Sequence, residues 1–181
     1  MTAMTAMTAK ALKMLKDANA EGIEHPGGTL LSHLKRVEAL LASWEGRPAL
    51  RAAGLCHAFY GTDGFPVPLL DLEHRADLAE AIGADAEALV YLYASCDRKV
   101  TYRRFAEDDA MLLDRFTGAR VQPSLGQRRD FAELTAANEL DLAAISPKIR
   151  TEHGASLLSL FARWRPLLSE SAWAHCRNVL G

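Results

Sequence analysis

The chain has 181 residues, of which 49% are apolar and 24% charged, and its 21 Lys plus Arg against 23 Asp plus Glu give a formal charge of −2. These values exclude intrinsic disorder, and no apolar run approaches the ~18 residues of a membrane-spanning helix. Balanced charge gives no general attraction to nucleic acid, and three cysteines without CxxC spacing favour a reducing compartment. We therefore expect a cytoplasmic protein that acts on a small molecule, with no nucleic acid and no membrane as partner; a homodimer is left open.

Alanine and leucine dominate while valine and isoleucine are sparse, which favours helices over strands. Residues 1–20 are expected to form a frayed or weakly helical lead-in and a first helix over 8–20. Thr29 is suited to cap the next helix. The apolar residues of that helix follow one another at helical spacing: Leu30, Leu34, Val37, Leu41 and Trp44. A third helix is predicted from Pro48 to about Tyr60.

The remaining elements are also predicted to be helical. After a rigid connector rich in Gly and Pro, helices are expected over 72–82, 85–96, 107–117, 127–145, 151–166 and 170–180. No linker is long enough to separate two domains. The sequence thus predicts the all-α class, with residues 21–181 forming one helical domain of about eight helices.

Three titratable residues lie on apolar helix stripes, where burial is costly without a partner. His33 lies between Leu30 and Val37 on the second helix, His57 follows the third helix, and Asp97 ends a later one. If these stripes face one core, two imidazoles and a carboxylate converge, a set that suits divalent Fe, Mn, Co or Zn. Each residue alone also fits a structural role, as a hydrogen-bonded core histidine or an arginine-paired carboxylate.

Three segments between residues 25 and 98 read HPGGTLLSHL, GLCHAFYGTDGF and LVYLYASCDR. They resemble the motifs of a little-characterised subgroup of the HD-domain superfamily, helical metalloproteins whose ligands follow the order H…HD…D. The resemblance implies an HD-like helical fold and a divalent metal held by His33, His57 and Asp97. Ala58 stands where HD domains carry their aspartate. This departure leaves three alternatives: a mononuclear site, a site completed by other residues, or a pocket without metal.

Further side chains are candidates for this site. His25, Tyr60 and Asp63 are predicted as acid–base residues, although Asp63 also fits a turn-forming role and Tyr60 a packing role. The predicted substrate pocket is lined by Thr62, Arg98, Asn138 and Asp141. Asn138 and Asp141 fit equally well a role in binding the ends of neighbouring helices.

The predicted function is that of a small HD-like metal-dependent enzyme that hydrolyses a small molecule with a metal-activated water. One alternative is a non-haem iron oxygenase of HD type, in which Asp63 or Asp141 replaces the missing carboxylate. Another is a metal-free acid–base enzyme, or a non-catalytic module that binds a ligand in a pocket that has lost its metal.

Overall fold

A computed structural model of the protein describes residues 3–181. The chain divides into two compact units, the first ending at Ala94 and the second running from Ser95 to Gly181. Over the described residues, nine α-helices dominate and the strands form two short two-stranded sheets. The all-α class is therefore confirmed, while the single domain over 21–181 stays a prediction. None of the helices over 3–181 is long and apolar enough to cross a membrane.

The described part of the first unit, from residue 3 onward, contains five helices, a hairpin and one short 3₁₀ turn. Its elements in chain order are α1 (Ala3–Asp17), β1 (Glu24–His25), β2 (Gly28–Thr29), α2 (Leu30–Ser43), α3 (Pro48–Cys56), the 3₁₀ turn Leu72–His74, α4 (Arg75–Ile82) and α5 (Ala84–Ser95). Helix α2 packs along α3, and α1 packs against α3 and α4. The predicted apolar stripe of α2 is buried along its whole length.

A β-hairpin precedes α2 and was not expected from the sequence. Strands β1 and β2 pair antiparallel around the turn Pro26-Gly27, where Gly27 has a φ of +79°, a backbone conformation that glycine adopts without steric cost. The amides of Leu30 and Leu31 donate to the carbonyls of Ile23 and Ala20, which ties the start of α2 to the preceding chain. The hairpin is thereby placed beside the first turns of α2.

Two helix boundaries in the first unit differ from the prediction. Helix α1 begins at Ala3 and ends at Asp17, so the described part of the Met-Thr-Ala repeat is helical, and residues 1 and 2 lie outside the described residues. Helix α3 ends at Cys56 rather than near Tyr60. Residues 57–60 form turns instead, because the Phe59 amide bonds the carbonyl of Cys56 and Gly61 takes a φ of +68°, which no right-handed helix allows.

The second unit is organised around one long helix. Its elements are α6 (Arg98–Thr101), the 3₁₀ turn Tyr102–Arg104, β3 (Leu112–Leu113), β4 (Arg120–Val121), α7 (Leu125–Ile145), α8 (Pro147–Arg163), the 3₁₀ turn Arg165–Leu167 and α9 (Glu170–Leu180). Helix α7 packs against both α8 and α9. The core of the second unit is aromatic. Phe105, Phe131, Phe161 and Trp164 are buried, and the ring centroids of Phe105 and Phe131 lie 4.8 Å apart.

The predicted helix over 107–117 is wrong. The chain forms the antiparallel pair β3–β4 there, and Asp114 directs the turn between the strands. Its Oδ1 accepts hydrogen bonds from the amides of Phe116 and Thr117 at 2.8 and 3.2 Å, and Gly118 follows with a φ of +74°. Aspartate side chains that bond nearby amides compete with helix formation in this way.

Candidate functional site

Three histidines from three different elements meet in the first unit. His25 of β1 stacks on His33 of α2, with ring centroids 4.2 Å apart and planes 27° apart. His33 meets His57, which follows α3, edge to face at 5.4 Å. His33 and His57 are only 1% and 3% exposed, whereas His25 is half-buried. We call these three residues the histidine cluster.

The last turn of α3 fixes the orientation of His57. Its Nδ1 lies 2.8 Å from the carbonyl oxygen of Gly54. A carbonyl oxygen only accepts, so Nδ1 carries the hydrogen and the neutral ring has its lone pair on Nε2. Gly54 lies in the last turn of α3, where carbonyls lack partners within the helix and carry partial negative charge. This end of α3 therefore strengthens the hydrogen bond that holds the Nδ1 side of the His57 ring toward Gly54.

Aromatic side chains surround the cluster. Tyr93 of α5 contacts His57 edge to face at 5.5 Å between ring centroids, and Phe65 contacts His25 at 6.0 Å. Tyr93 is 1% exposed, so it forms a wall of the interior, while Phe65 belongs to a surface turn. His25 and Phe65 are both half-buried, so they are the most exposed residues of this group.

The turn that carries Phe65 also contains two predicted site residues. Thr62 is buried, and its Oγ1 accepts a hydrogen bond from the Phe65 amide at 3.0 Å. The same two residues are joined by backbone hydrogen bonds of 2.7 and 3.1 Å. Asp63 is exposed at the tip of this turn. Thr62 thus closes the turn that sets Phe65 against His25, and the role of Asp63 in acid–base chemistry stays a prediction.

Tyr60 belongs to a network of buried and half-buried side chains that the sequence did not indicate. Its hydroxyl donates to Glu87 Oε1 at 2.8 Å, and Arg75 donates to both oxygens of the same carboxylate, at 2.6 Å from Nε and 2.9 Å from Nη2. The Arg75 guanidinium lies 3.7 Å from the centre of the Tyr91 ring. We call these four residues the Glu87 network.

The network affects proton affinity. Burial, followed by the hydrogen bond to Glu87, raises the pKa of Tyr60, so this hydroxyl holds its proton more tightly than an exposed tyrosine. The hydrogen bond to Glu87 likewise raises the pKa of Arg75. Glu87 lies three residues before Val90 on the buried side of α5. A charged residue on the apolar stripe of α5 is the sequence signal that indicates this buried carboxylate.

Asp97, the predicted third metal ligand, belongs to the second unit. Its Oδ1 accepts a hydrogen bond from the amide of Val100 at 3.1 Å, which makes it the N-cap of α6. Its own amide donates to the carbonyl of Leu113. The carboxylate therefore has a structural role at the start of α6, and its role as a metal ligand stays a prediction.

Two of the other predicted pocket residues, Arg98 and Asn138, contact Glu139. Arg98 Nη1 and Asn138 Nδ2 donate to Glu139 Oε1 at 3.5 and 3.3 Å, and the Arg98 contact joins α6 to α7. Asn138 and Asp141 are 8% and 7% exposed. A role of these two residues in holding substrate and a role in binding the ends of neighbouring helices both stay predictions.

The described side chains do not form a ready metal site. Over residues 3–181, no group of three or more His, Cys, Asp or Glu side chains is arranged to hold a metal ion. Cys56, next to His57, offers no nucleophile either: it is fully buried, and burial raises the pKa of its thiol, which disfavours the reactive thiolate.

The histidine cluster lies within the part of the chain that is similar to a known family. Residues 14–98 match a family described as a domain of unknown function (DUF6817). This range contains all three cluster residues and Asp97, and it overlaps the segments that resemble HD domains. No curated protein and no solved structure matches the chain. Membership of the HD-domain superfamily stays a prediction.

Proposed function

We propose that the protein is a small-molecule enzyme whose histidine cluster performs acid–base chemistry, with His57 as the group that accepts and returns the proton. The observation that carries this proposal is the hydrogen bond from His57 Nδ1 to the Gly54 carbonyl. It leaves the lone pair on Nε2, and histidine gains and loses a proton near neutral pH. When Nε2 takes a proton, the Nδ1 hydrogen bond is kept and becomes charge-assisted.

The neighbouring rings support the same role. The ring of His33 contacts both His25 and His57, so the three imidazoles form one continuous group. Histidine is the side chain most often used in general acid–base catalysis. The ring of His25 is half-buried, so it is the part of the cluster that a substrate would reach from the surface.

Histidine-selective NMR tests whether the cluster binds small molecules. The protein has six histidines, so labelling with ¹⁵N-histidine gives three cluster signals and three internal controls. We expect members of a panel of phenols, carboxylic acids and heteroaromatic amides to shift the signals of His25, His33 and His57. Exposed His74 should stay unchanged. Binders that shift only the signals of the other three histidines, or none, would contradict the proposed site.

Turnover of aryl esters and aryl phosphates tests the chemistry. We expect His57→Gln to lower any observed rate by roughly 100- to 10,000-fold, the usual contribution of a general acid–base group. His74→Gln is the matched control and should keep the wild-type rate. Turnover that survives His57→Gln in a folded variant would exclude His57 as the base. Binding at the cluster without any turnover would instead favour the non-catalytic module.

Metal-dependent hydrolysis is the second candidate, and the orientation of His57 favours it. Metal-binding histidines usually donate their other ring N–H to a carbonyl or carboxylate, as His57 does to Gly54. Elemental analysis of the untagged protein beside the double variant His33→Ala/His57→Ala tests it. Near-stoichiometric metal that is lost in the variant would support this candidate, with iron pointing to the oxygenase and manganese, cobalt or zinc to the hydrolase. Equal traces in both samples would favour metal-free chemistry.

A further inference from the structure

The turn that carries His57 is held at its far end by Tyr60. Within this turn the Gly61 amide donates to the carbonyl of Ala58 at 3.0 Å, and the Phe59 carbonyl accepts from the amides of Leu69 and Leu70. These bonds fix the backbone locally. The hydroxyl of Tyr60 adds a side-chain hydrogen bond from this turn to α5, through Glu87.

Glu87 accepts the Tyr60 hydrogen bond with a carboxylate that is itself held in place. The residue is 6% exposed, and a buried carboxylate is costly unless it is paired and hydrogen-bonded. Arg75 binds it through two nitrogens, a geometry that holds both groups in one orientation. The planar guanidinium is in turn supported by the Tyr91 ring. The oxygen that Tyr60 meets is therefore held in place by groups on two helices, α4 and α5.

We propose that Glu87 is a positioning residue for His57: through Tyr60 it holds the 57–60 turn so that His57 Nδ1 reaches the Gly54 carbonyl. The tautomer and orientation of the ring are properties of the protein without substrate. This role of Glu87 goes beyond the proposed function, since it can be measured without a substrate or turnover.

Tyr60→Phe removes the hydroxyl and keeps the aromatic ring. In the wild type, ¹⁵N-detected imidazole signals at mildly alkaline pH should show His57 with a protonated Nδ1 and an unprotonated Nε2. In Tyr60→Phe we expect the two nitrogen signals to move toward one another, as the second tautomer becomes populated. The rate at which diethyl pyrocarbonate modifies His57, followed by peptide mass spectrometry, should rise several-fold.

Tyr91→Phe is the matched control, since it removes a hydroxyl from the neighbouring tyrosine and keeps the ring under Arg75. Its His57 signals and modification rate should match the wild type. Glu87→Gln should shift the His57 signals in the same direction as Tyr60→Phe. Folding of each variant is measured by circular dichroism. If Tyr60→Phe does not fold, Glu87→Gln is the variant that tests the proposal. Wild-type His57 signals in a folded Tyr60→Phe protein, or equal changes in Tyr91→Phe, would overturn the proposal.

Discussion

Gly54 serves both the packing of the first unit and the orientation of His57. A Cβ atom at this position would lie 2.5 Å from Leu41 Cδ1 and 3.6 Å from Val37 Cγ1, so any larger residue here would force the Leu41 side chain of α2 to shift. The carbonyl of the same residue receives the His57 hydrogen bond. A single residue without a side chain thus connects the core to the histidine cluster.

Gly54→Ala is expected to destabilise the protein by roughly 1–3 kcal/mol, the usual effect of overpacking a filled core. Leu41, whose methyl group the new Cβ would meet, is 0% exposed, so the shift takes place within the core. Chemical unfolding in urea measures the change. We also expect the ¹⁵N signals of His57 to shift, since the Gly54 carbonyl would move with α3.

Gly154→Ala in α8 is the control for this prediction. A Cβ there would meet Arg150 Cγ at 3.7 Å, an ordinary contact, and alanine is the better helix former by roughly 0.5–1 kcal/mol. This variant should therefore be neutral or more stable than the wild type. A loss of stability of the same size in both variants would contradict the packing explanation.

Burial of titratable residues was predictable at the scale of single residues, but their partners were not. The stripes of α2 and α3 placed His33 and His57 inside, and both are buried. Tyr60 is predicted from the sequence as an acid–base residue or as a packing residue. Its hydroxyl is instead bound to Glu87, 27 residues away in the chain, and no local pattern specifies a contact over that distance.

Helix α7 is the central element of the second unit, and its first turn is closed by a capping box. Ser124 Oγ accepts from the Gln127 amide at 3.2 Å, and Gln127 Oε1 accepts from the Ser124 amide at 2.9 Å. All residues from Phe131 to Ala137 are buried. The cap therefore stabilises a helix on which the aromatic core of this unit depends.

Ser124→Ala is expected to cost about 1 kcal/mol, because the amide of Gln127 loses its partner at the helix start. The measurement is urea unfolding followed by far-ultraviolet circular dichroism. Ser156→Ala is the control: this serine is exposed on α8 and donates only to the His153 carbonyl, so its change should stay within about 0.5 kcal/mol. Equal losses in the two variants would rule out a specific role for the cap.

Elements with regular apolar spacing were predicted more accurately than those set by turns. The predicted helices over 127–145 and 170–180 agree with α7 and α9 within two residues. The helix predicted over 151–166 begins earlier, at Pro147, which follows the cap Ser146 in a position that proline favours. The helix predicted over 107–117 is wrong because the Asp114 side chain and the later Gly118 direct the chain into a hairpin.

At the scale of the whole molecule, the two compact units are joined without a linker. The boundary between Ala94 and Ser95 falls at the last residue of α5. The chain passes from one unit to the next within the last turn of α5. The prediction of a single domain can therefore be tested by whether the two units unfold cooperatively. The predicted cytoplasmic location and the choice between monomer and homodimer stay predictions.

We expect one thermal transition with the same midpoint by circular dichroism and by tryptophan fluorescence, as for a single cooperative domain. Trp44 reports on the first unit, while Trp164 and Trp173 report on the second. In Trp44→Phe the fluorescence comes from the second unit alone, and its midpoint should coincide with that of the helical signal. Two separate midpoints would show that the units unfold independently and that the single-domain prediction is wrong.

The sequence by itself determined the all-α class, the buried stripe of α2 and the burial of His33 and His57. Helical spacing and N-caps act over a few neighbouring residues, so they can be read directly. Only the tertiary structure decided that His25 stacks on His33, that Glu87 receives Tyr60 and Arg75, and that Gly54 lies at the crossing of α2 and α3. Those contacts join residues far apart in the chain, and their geometry depends on how the helices pack.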